Sequence, residues 1–389
     1  MEGAGRSRLV SVTVAATFAV GLAIRLAVAY AFWGSNDVTL EIYHGDRINA
    51  GYSSWTSKLP LAYMLPAWMQ SLSRKAPIPE NAAQKLPAIF GDMLAALLLW
   101  RLSARSERPW LWPAIYLLNP VTIMLSAYHG NVDPLMAAAM LWALVLRWKE
   151  RPITSGFALG LSILMKPTAL LALPPLAFPL GWRGVRFIAA ALLTVAAICV
   201  PFVLVDPTFG RFLGSYGGAY GEWGLTLMLR EVGRAFDLRA VNAWVEQFGR
   251  YLLAAVLAVW FVFLMKRWRL ESLTANAGAI AATLLFFYVT ATGWGPQYLS
   301  LAFPFLLIVR VRLAVIYSAA TAPYLLATYI YAWRFETYAG KSVFSHSDSL
   351  PATDLAILVA NRGFTVVAWT ACAFILWRLC SEREPLRDQ

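Results

Sequence analysis

Charge is what this chain has least of. Asp, Glu, Lys and Arg together make up 14% of its 389 residues, against roughly 25% in a soluble globular protein. Set beside 59% apolar residues, that shortage excludes the two or three soluble domains the length alone would allow. Cysteine is scarce as well. Cys199, Cys372 and Cys380 are odd in number and all fall in apolar runs, which is neither a disulfide framework nor a zinc-ligand spacing. Soluble-enzyme motifs are missing: there is no phosphate-cradling glycine loop, no nucleophile elbow and no pair of histidines at metal-binding spacing. Gly214, Gly217, Gly218 and Gly221 lack the strand–helix context of a dinucleotide site. The one excess is a net charge of +12. Its basic residues sit in short clusters between apolar stretches, which is how a membrane protein fixes its orientation and not how a nucleic-acid surface is built.

What is present is a succession of apolar runs. A helix needs about 20 apolar residues to cross the bilayer core, and 9–33 meets that length. A cleaved signal peptide ending at Ala27-Val28-Ala29 is the competing reading, against which stand the length of the run and Arg25 inside it. Further spans are expected at 86–104, 110–126, 134–148, 153–165, 167–180, 187–205, 248–266, 274–292, 297–310, 313–332 and 363–379. With the amino terminus (Arg6, Arg8) in the cytoplasm, the inside connections hold Arg105 and Arg108; Arg147, Lys149 and Arg151; Arg183 and Arg186; Lys266, Arg267 and Arg269; Arg310 and Arg312; and Arg378 and Arg383. One register thus satisfies the positive-inside rule throughout. Three outside connections are long, 34–85, 206–247 and 333–362, and the first carries amphipathic stretches such as 59–72 that suit the interface. The expectation is an all-α integral membrane fold of about twelve transmembrane helices, a single polytopic domain over 1–389 with interfacial helices in the first outside connection.

Polar residues that hydropathy does not explain gather at the outside ends of these spans. Asn36-Asp37 follows the first span, with Glu41, Tyr43 and His44 after it; it reads as a helix cap or as an acid held at the membrane boundary. Tyr128-His129-Gly130-Asn131-Val132-Asp133-Pro134 forms the tip between the third and fourth spans. Asp133 reads there as an N-cap with Pro134 opening the helix, which leaves His129 and Asn131 unexplained. Lys166 precedes Pro167, and some 14 residues of helix after Pro152 would carry it roughly 20 Å, close to the outer boundary; it is a snorkelling lysine or a cation for a lipid phosphate. Arg25 and Asp92 are both intramembrane and open to pairing with each other or with Lys85. Thr292-Gly293-Trp294-Gly295-Pro296-Gln297-Tyr298 is a tight outside turn in which Gln297 is the unexplained polar member.

The order of these pieces resembles the GT-C superfamily of polytopic glycosyltransferases, which use polyprenyl- or dolichyl-phosphate sugars, and most of all its bacterial mannosyltransferase-like and dolichyl-phosphate-mannose-dependent members. The likeness rests on Asn36-Asp37 leading to Tyr43 and Pro60-Leu61-Ala62-Tyr63, and on Lys85-Leu86-Pro87-Ala88-Ile89 with Asp92. It continues through Asn119-Pro120 before the His129 turn, Gly160-Leu161-Ser162-Ile163-Leu164-Met165-Lys166-Pro167, and Pro296-Gln297-Tyr298 before Pro304-Phe305. It covers roughly residues 10–310.

The resemblance implies Asp37 as catalytic base, in the position of the acid in the first outside loop of such enzymes; Glu41 is near, but the paired acids of some members are absent. A lipid phosphate is already a good leaving group, so the chemistry asks for one base and a cation for the departing charge. Lys166 and Arg25 are the expected lipid-phosphate partners, and Glu41, Tyr43, His129, Asn131, Asp133 and Gln297 are expected to position substrate. No metal ligand set is expected and no cofactor is required, a divalent metal remaining an option. The expected partners are a polyprenyl-phosphate-linked sugar donor, mannose by resemblance, a glycolipid or glycan acceptor and membrane lipids, with no nucleic acid. The expected setting is a bacterial inner membrane with the active site facing the periplasm. A transporter or lipid-linked sugar flippase is the rival, against which stands the lack of two matching halves with interrupted helices. A purely structural scaffold is a third reading, and it leaves Asp37, His129 and Lys166 on one side without a reason.

Overall fold

The computed structural model describes residues 2–52, 59–104, 106–206, 209, 224–236, 238–293, 295–339 and 352–381. Arg105, Trp294, Arg383 and the four glycines Gly214, Gly217, Gly218 and Gly221 lie outside them. Among the described residues the regular structure is helical. In chain order the helices are α1 (Glu2–Ala31), α2 (Asn36–Asn49), α3 (Leu61–Lys75), α4 (Glu80–Ser103), α5 (Leu111–Leu117), α6 (Pro120–Ile123), α7 (Asp133–Trp148), α8 (Pro152–Met165), α9 (Leu173–Ala177) and α10 (Arg183–Val205). They continue with α11 (Leu225–Phe236), α12 (Arg239–Arg267), α13 (Leu273–Thr290), α14 (Leu299–Val309), α15 (Val311–Ala339) and α16 (Ala352–Ser381). Among the described residues six helices are long and apolar enough to cross a membrane, or up to eight if each of two bent pairs is one span.

All twelve windows expected from hydropathy are helical over most of their length. The connections differ more from expectation. The stretch 34–85 holds two helices, α2 and α3, packed on each other and on α4, and α15 and α16 run well into 333–362. Three apolar stretches, Pro152–Met165, Pro167–Leu180 and Pro296–Val309, are shorter than the long spans. Proline explains two of them. Pro167, Pro174, Pro175 and Pro179 remove backbone donors, and 167–180 is accordingly a 3-10 turn, the short α9 and a second 3-10 turn. Pro296 likewise opens a 3-10 turn, Pro296–Tyr298, ahead of α14. Pro120 bends the third window by 48° between α5 and α6; Asn119 caps the second half by accepting from the Val121 amide, and its Oδ1 also accepts from Ser318 Oγ at 3.0 Å.

Close packing comes from small residues, as between helices in a membrane. On α8, Gly156 and Gly160 are four apart on one face, where added Cβ atoms would stand 2.2 Å from the Phe187 carbonyl oxygen and 2.8 Å from that of Ala191 on α10. On α4, Gly91 lies so near the start of α7 that a Cβ would be 2.4 Å from the Leu135 Cα. Every residue of α14 is buried, as befits a helix hydrophobic all round, and α13 packs along it. α10 is the opposite, an apolar helix mostly exposed on the outside of the bundle.

Gly91→Leu is expected to drive α4 from α7 and destabilise the fold by ~1–3 kcal/mol or more, as overpacking does. The check is a lower thermal midpoint and loss of the monodisperse peak in detergent, with Gly363→Leu, at an open position, behaving as wild type.

Candidate functional site

The site begins where α1 ends. The last carbonyls of a helix have no partner within it, and here Lys85 supplies one from α4. Its Nζ donates to the carbonyl oxygens of Phe32 (2.6 Å) and Ala29 (3.2 Å), and Asn81 Nδ2 donates to the same two at 3.0 and 3.4 Å. A cation at a helix carboxyl end is also favoured by the helix dipole. The chain then turns at Gly34, whose φ of +111° requires glycine and whose Cβ position would be 2.6 Å from the Tyr128 carbonyl oxygen. Ser35 stands at the N-cap of α2, yet its hydroxyl makes no cap; it donates to the His129 carbonyl at 3.0 Å. The first turn of α2, with Asp37, is thereby held against 128–131.

That second segment is unusual as well. Met124–His129 is a single π-helical turn, a local widening that recurs at functional sites. It closes with the Gly130 amide on the Leu125 carbonyl at 3.2 Å. Gly130 is left-handed, at φ +78°, and packs on Lys85 and Val38 with no room for a Cβ.

The two segments bring three predicted residues together. Asn131 Nδ2 donates to Asp37 Oδ2 at 2.5 Å, while the Asn131 Oδ1 accepts the Val132 amide at 2.7 Å, which fixes the amide's orientation. His129 Nε2 lies 3.1 Å from the same carboxylate oxygen, within ion-pair range but off the line of a hydrogen bond. His129 and Asn131 are buried, whereas the Asp37 side chain is 29% exposed. The His129 ring stacks on Tyr329 of α15, centroids 5.6 Å apart at 30°.

Asp133 corrects the sequence reading. Val132 occupies the cap and Asp133 is the first residue of α7; its carboxylate turns to Lys166, 2.6 Å from Nζ. Lys166 is buried and needs a counter-charge, and the proline after it pushes its backbone into the extended region. The ammonium also lies 4.8 Å from the centroid of the Tyr298 ring, so Lys166 is a buried paired cation and not a snorkelling one. Gln297 precedes Tyr298 in the same 3-10 turn. Glu41 is buried one turn beyond Asp37 on α2. Tyr43 is exposed and engages Arg47, facing away from the cluster.

Arg25 stands apart. It is fully buried and gives four hydrogen bonds, to Asp92 Oδ2 (2.8 Å), Thr122 Oγ1 (2.9 Å) and the carbonyls of Leu117 (2.7 Å) and Gly21 (3.1 Å). Asp92 accepts in addition from the Tyr116 hydroxyl at 2.9 Å. The pairing with Asp92 is made, and a guanidinium so enclosed pins α1 to α4, α5 and α6; it does not face a lipid phosphate. Among the described residues no three His, Cys, Asp or Glu side chains are grouped so as to hold a metal ion. Sequence reasoning passed over Ser35, Asn81 and Tyr329; the only signal for Tyr329 was its place near the carboxyl end of the 313–332 window.

The model of glycosyltransferase family 87 matches residues 60–292, more than half of the chain. The match takes in Lys85, Asp92, His129, Asn131, Asp133 and Lys166, and leaves Asp37, Gln297 and Tyr329 outside it. Among curated proteins none matches the chain.

Asp92→Ala strands a buried guanidinium and is expected to cost about 3–5 kcal/mol, read as a fall in thermal midpoint. Replacing both partners, Arg25→Met with Asp92→Leu, is expected to return most of it. A single variant as stable as wild type would remove the pin from this account.

Proposed function

The chain belongs to glycosyltransferase family 87, one of the GT-C type polytopic glycosyltransferases, and from that membership we propose an inverting transfer of a sugar from a polyprenyl-phosphate carrier to an acceptor hydroxyl. The observation that carries the proposal is Asp37: a part-exposed carboxylate set among buried partners, oriented by Asn131 and approached by His129. In this scheme Asp37 takes the proton of the acceptor hydroxyl as its oxygen attacks the anomeric carbon. The bond from that carbon to the phosphate oxygen breaks with its electron pair, and polyprenyl phosphate leaves from the opposite face. The leaving group departs as a stable anion, so no second carboxylate is needed as an acid, in contrast to glycoside hydrolysis. Holding acceptor and donor in line supplies much of the rate.

Lys166 is the cation for the departing phosphate. An ammonium has three donors and Asp133 takes one of them, which holds the Lys166 side chain in one direction. Asp133 acts through Lys166, and Glu41 and Gln297 line the sugar or acceptor side. Arg25 becomes the pin of the α1 end and Tyr43 a surface residue of α2. The donor sugar is mannose, the acceptor a glycolipid or glycan, and no cofactor is required. The chain is one membrane domain of about twelve crossings in a bacterial plasma membrane, its site facing the periplasm; the single positive-inside register supports that orientation. Family membership favours this reading over a transporter or flippase.

Asp37→Asn is expected to lower transfer from polyprenyl-phosphate mannose by about 10²–10⁴-fold, the usual worth of a general base, with the thermal midpoint unchanged; transfer at the wild-type rate would end the assignment. Orientation has its own test. In a variant with Cys199, Cys372 and Cys380 replaced by serine, single cysteines at the exposed Tyr52 and Ser106 should react with an impermeant maleimide from opposite sides, Tyr52→Cys in intact spheroplasts and Ser106→Cys only after lysis.

A further inference from the structure

Three buried tyrosines in this bundle place their hydroxyls on protein acceptors. Tyr116 donates to Asp92, Tyr288 to the carbonyl of Tyr298, and Tyr317, on the same helix as Tyr329, to the carbonyl of Leu299. Tyr329 is as enclosed, at 8% exposure, and its Oη has no hydrogen-bond partner. A buried phenol normally finds one. The residue it stacks on repeats the pattern, since His129 Nδ1 is buried without a partner. So does the next acid along the turn: Asp133 Oδ1 is unpartnered although Oδ2 holds Lys166. The Tyr329 phenol lies within electrostatic range of both Asp37 and Asp133. Tyr329 and His129 therefore leave a hydroxyl and a ring nitrogen unsatisfied beside the part-exposed Asp37 carboxylate, and Asp133, four residues along from His129, leaves a carboxylate oxygen. A phenol and an imidazole can each donate or accept and a carboxylate accepts; the ligand that answers such a mixed set is a polyhydroxylated one.

We propose that Tyr329 is a substrate-positioning residue of this site, its phenol oxygen bonding a sugar hydroxyl while its ring backs the His129 imidazole against Asp37. The assignment rests on the glycosyl-transfer reading above and extends the site to α15, beyond the residues matched by the family. The two parts of the side chain have separable duties. Tyr329→Phe removes the oxygen and keeps the stack; Tyr329→Leu removes both.

The test uses the full-length protein in nanodiscs, with polyprenyl-phosphate mannose as donor, a mannosylated glycolipid as acceptor, and the monodeoxy analogues of both sugars. Wild type is expected to lose about tenfold in kcat/KM on one of the analogues, the loss typical when a buried polar group is left unpaired. Tyr329→Phe should show about that loss on the full substrates, no further loss on that one analogue, the wild-type penalties on the others, and an unchanged thermal midpoint and pH profile. Tyr329→Leu should lose more and displace the pH profile, because His129 is no longer held. A Tyr329→Phe enzyme with wild-type rates and the full set of deoxy penalties would overturn the proposal and leave Asp37 untouched. Failure of wild type to transfer from any polyprenyl-phosphate sugar would overturn the glycosyl-transfer reading and this assignment together.

Discussion

The site depends on how the chain leaves its first long helix. The carbonyls of Ala29 and Phe32 have no partner within α1, and a backbone group left bare in an apolar setting costs several kcal/mol. Lys85 and Asn81, one turn apart on α4, supply the donors. That clamp leaves the chain one route, through a left-handed Gly34 pressed on the Tyr128 carbonyl, and Lys85 itself is overlaid by the left-handed Gly130. The two glycines and the lysine stem form one knot, and Asp37 and Asn131 are the polar groups that emerge on either side of it. The contact between Asp37 and Asn131, 94 apart in sequence, is thus set by a lysine whose charge is spent on carbonyls.

The remaining buried charges sort by what they can still do. Arg25 and Asp92 are enclosed and multiply bonded, and their energy goes into tying α1 to its neighbours. Lys166 and Asp133 are paired as well, but an ammonium with further donors and a carboxylate oxygen without a partner remain. In the Asp37 carboxylate the exposure is greatest of these. A desolvated ion pair adds little net stability, so pairs of the second kind are better explained by a task than by folding. The π turn before Gly130 belongs to the same logic: a wider turn re-aims His129 toward Asp37 and Tyr329 at the cost of helical regularity.

Much of this was legible in the chain itself. Apolar runs and basic clusters are local properties, and the helices lie where the twelve windows fall. The polar island from His129 to Asp133 and the break at Lys166-Pro167 stood out for the same reason, as residues that an apolar neighbourhood does not accommodate without cause. What each of them does was less legible. Asp133 before Pro134 has the local signature of a cap, and only the approach of a helix 33 residues on made it a counter-ion. Arg25 read first as the partner of Asp92 by its sequence and as a phosphate ligand by resemblance, and the four acceptors around it leave it to the first role. Tyr329 was invisible because a tyrosine near the end of a span is the ordinary furniture of a membrane interface.

The sequence alone determined that this is a polytopic helical membrane protein with its unusual polar residues at one set of helix ends, because transfer of side chains into lipid is decided residue by residue. Only the tertiary structure decided which charges are consumed in pairing and which stay available, that Lys85 clamps the end of α1, and that α15 brings Tyr329 onto His129. Pairing in a medium of low dielectric is a property of distances of a few ångströms between segments far apart in the chain, and no local pattern carries them.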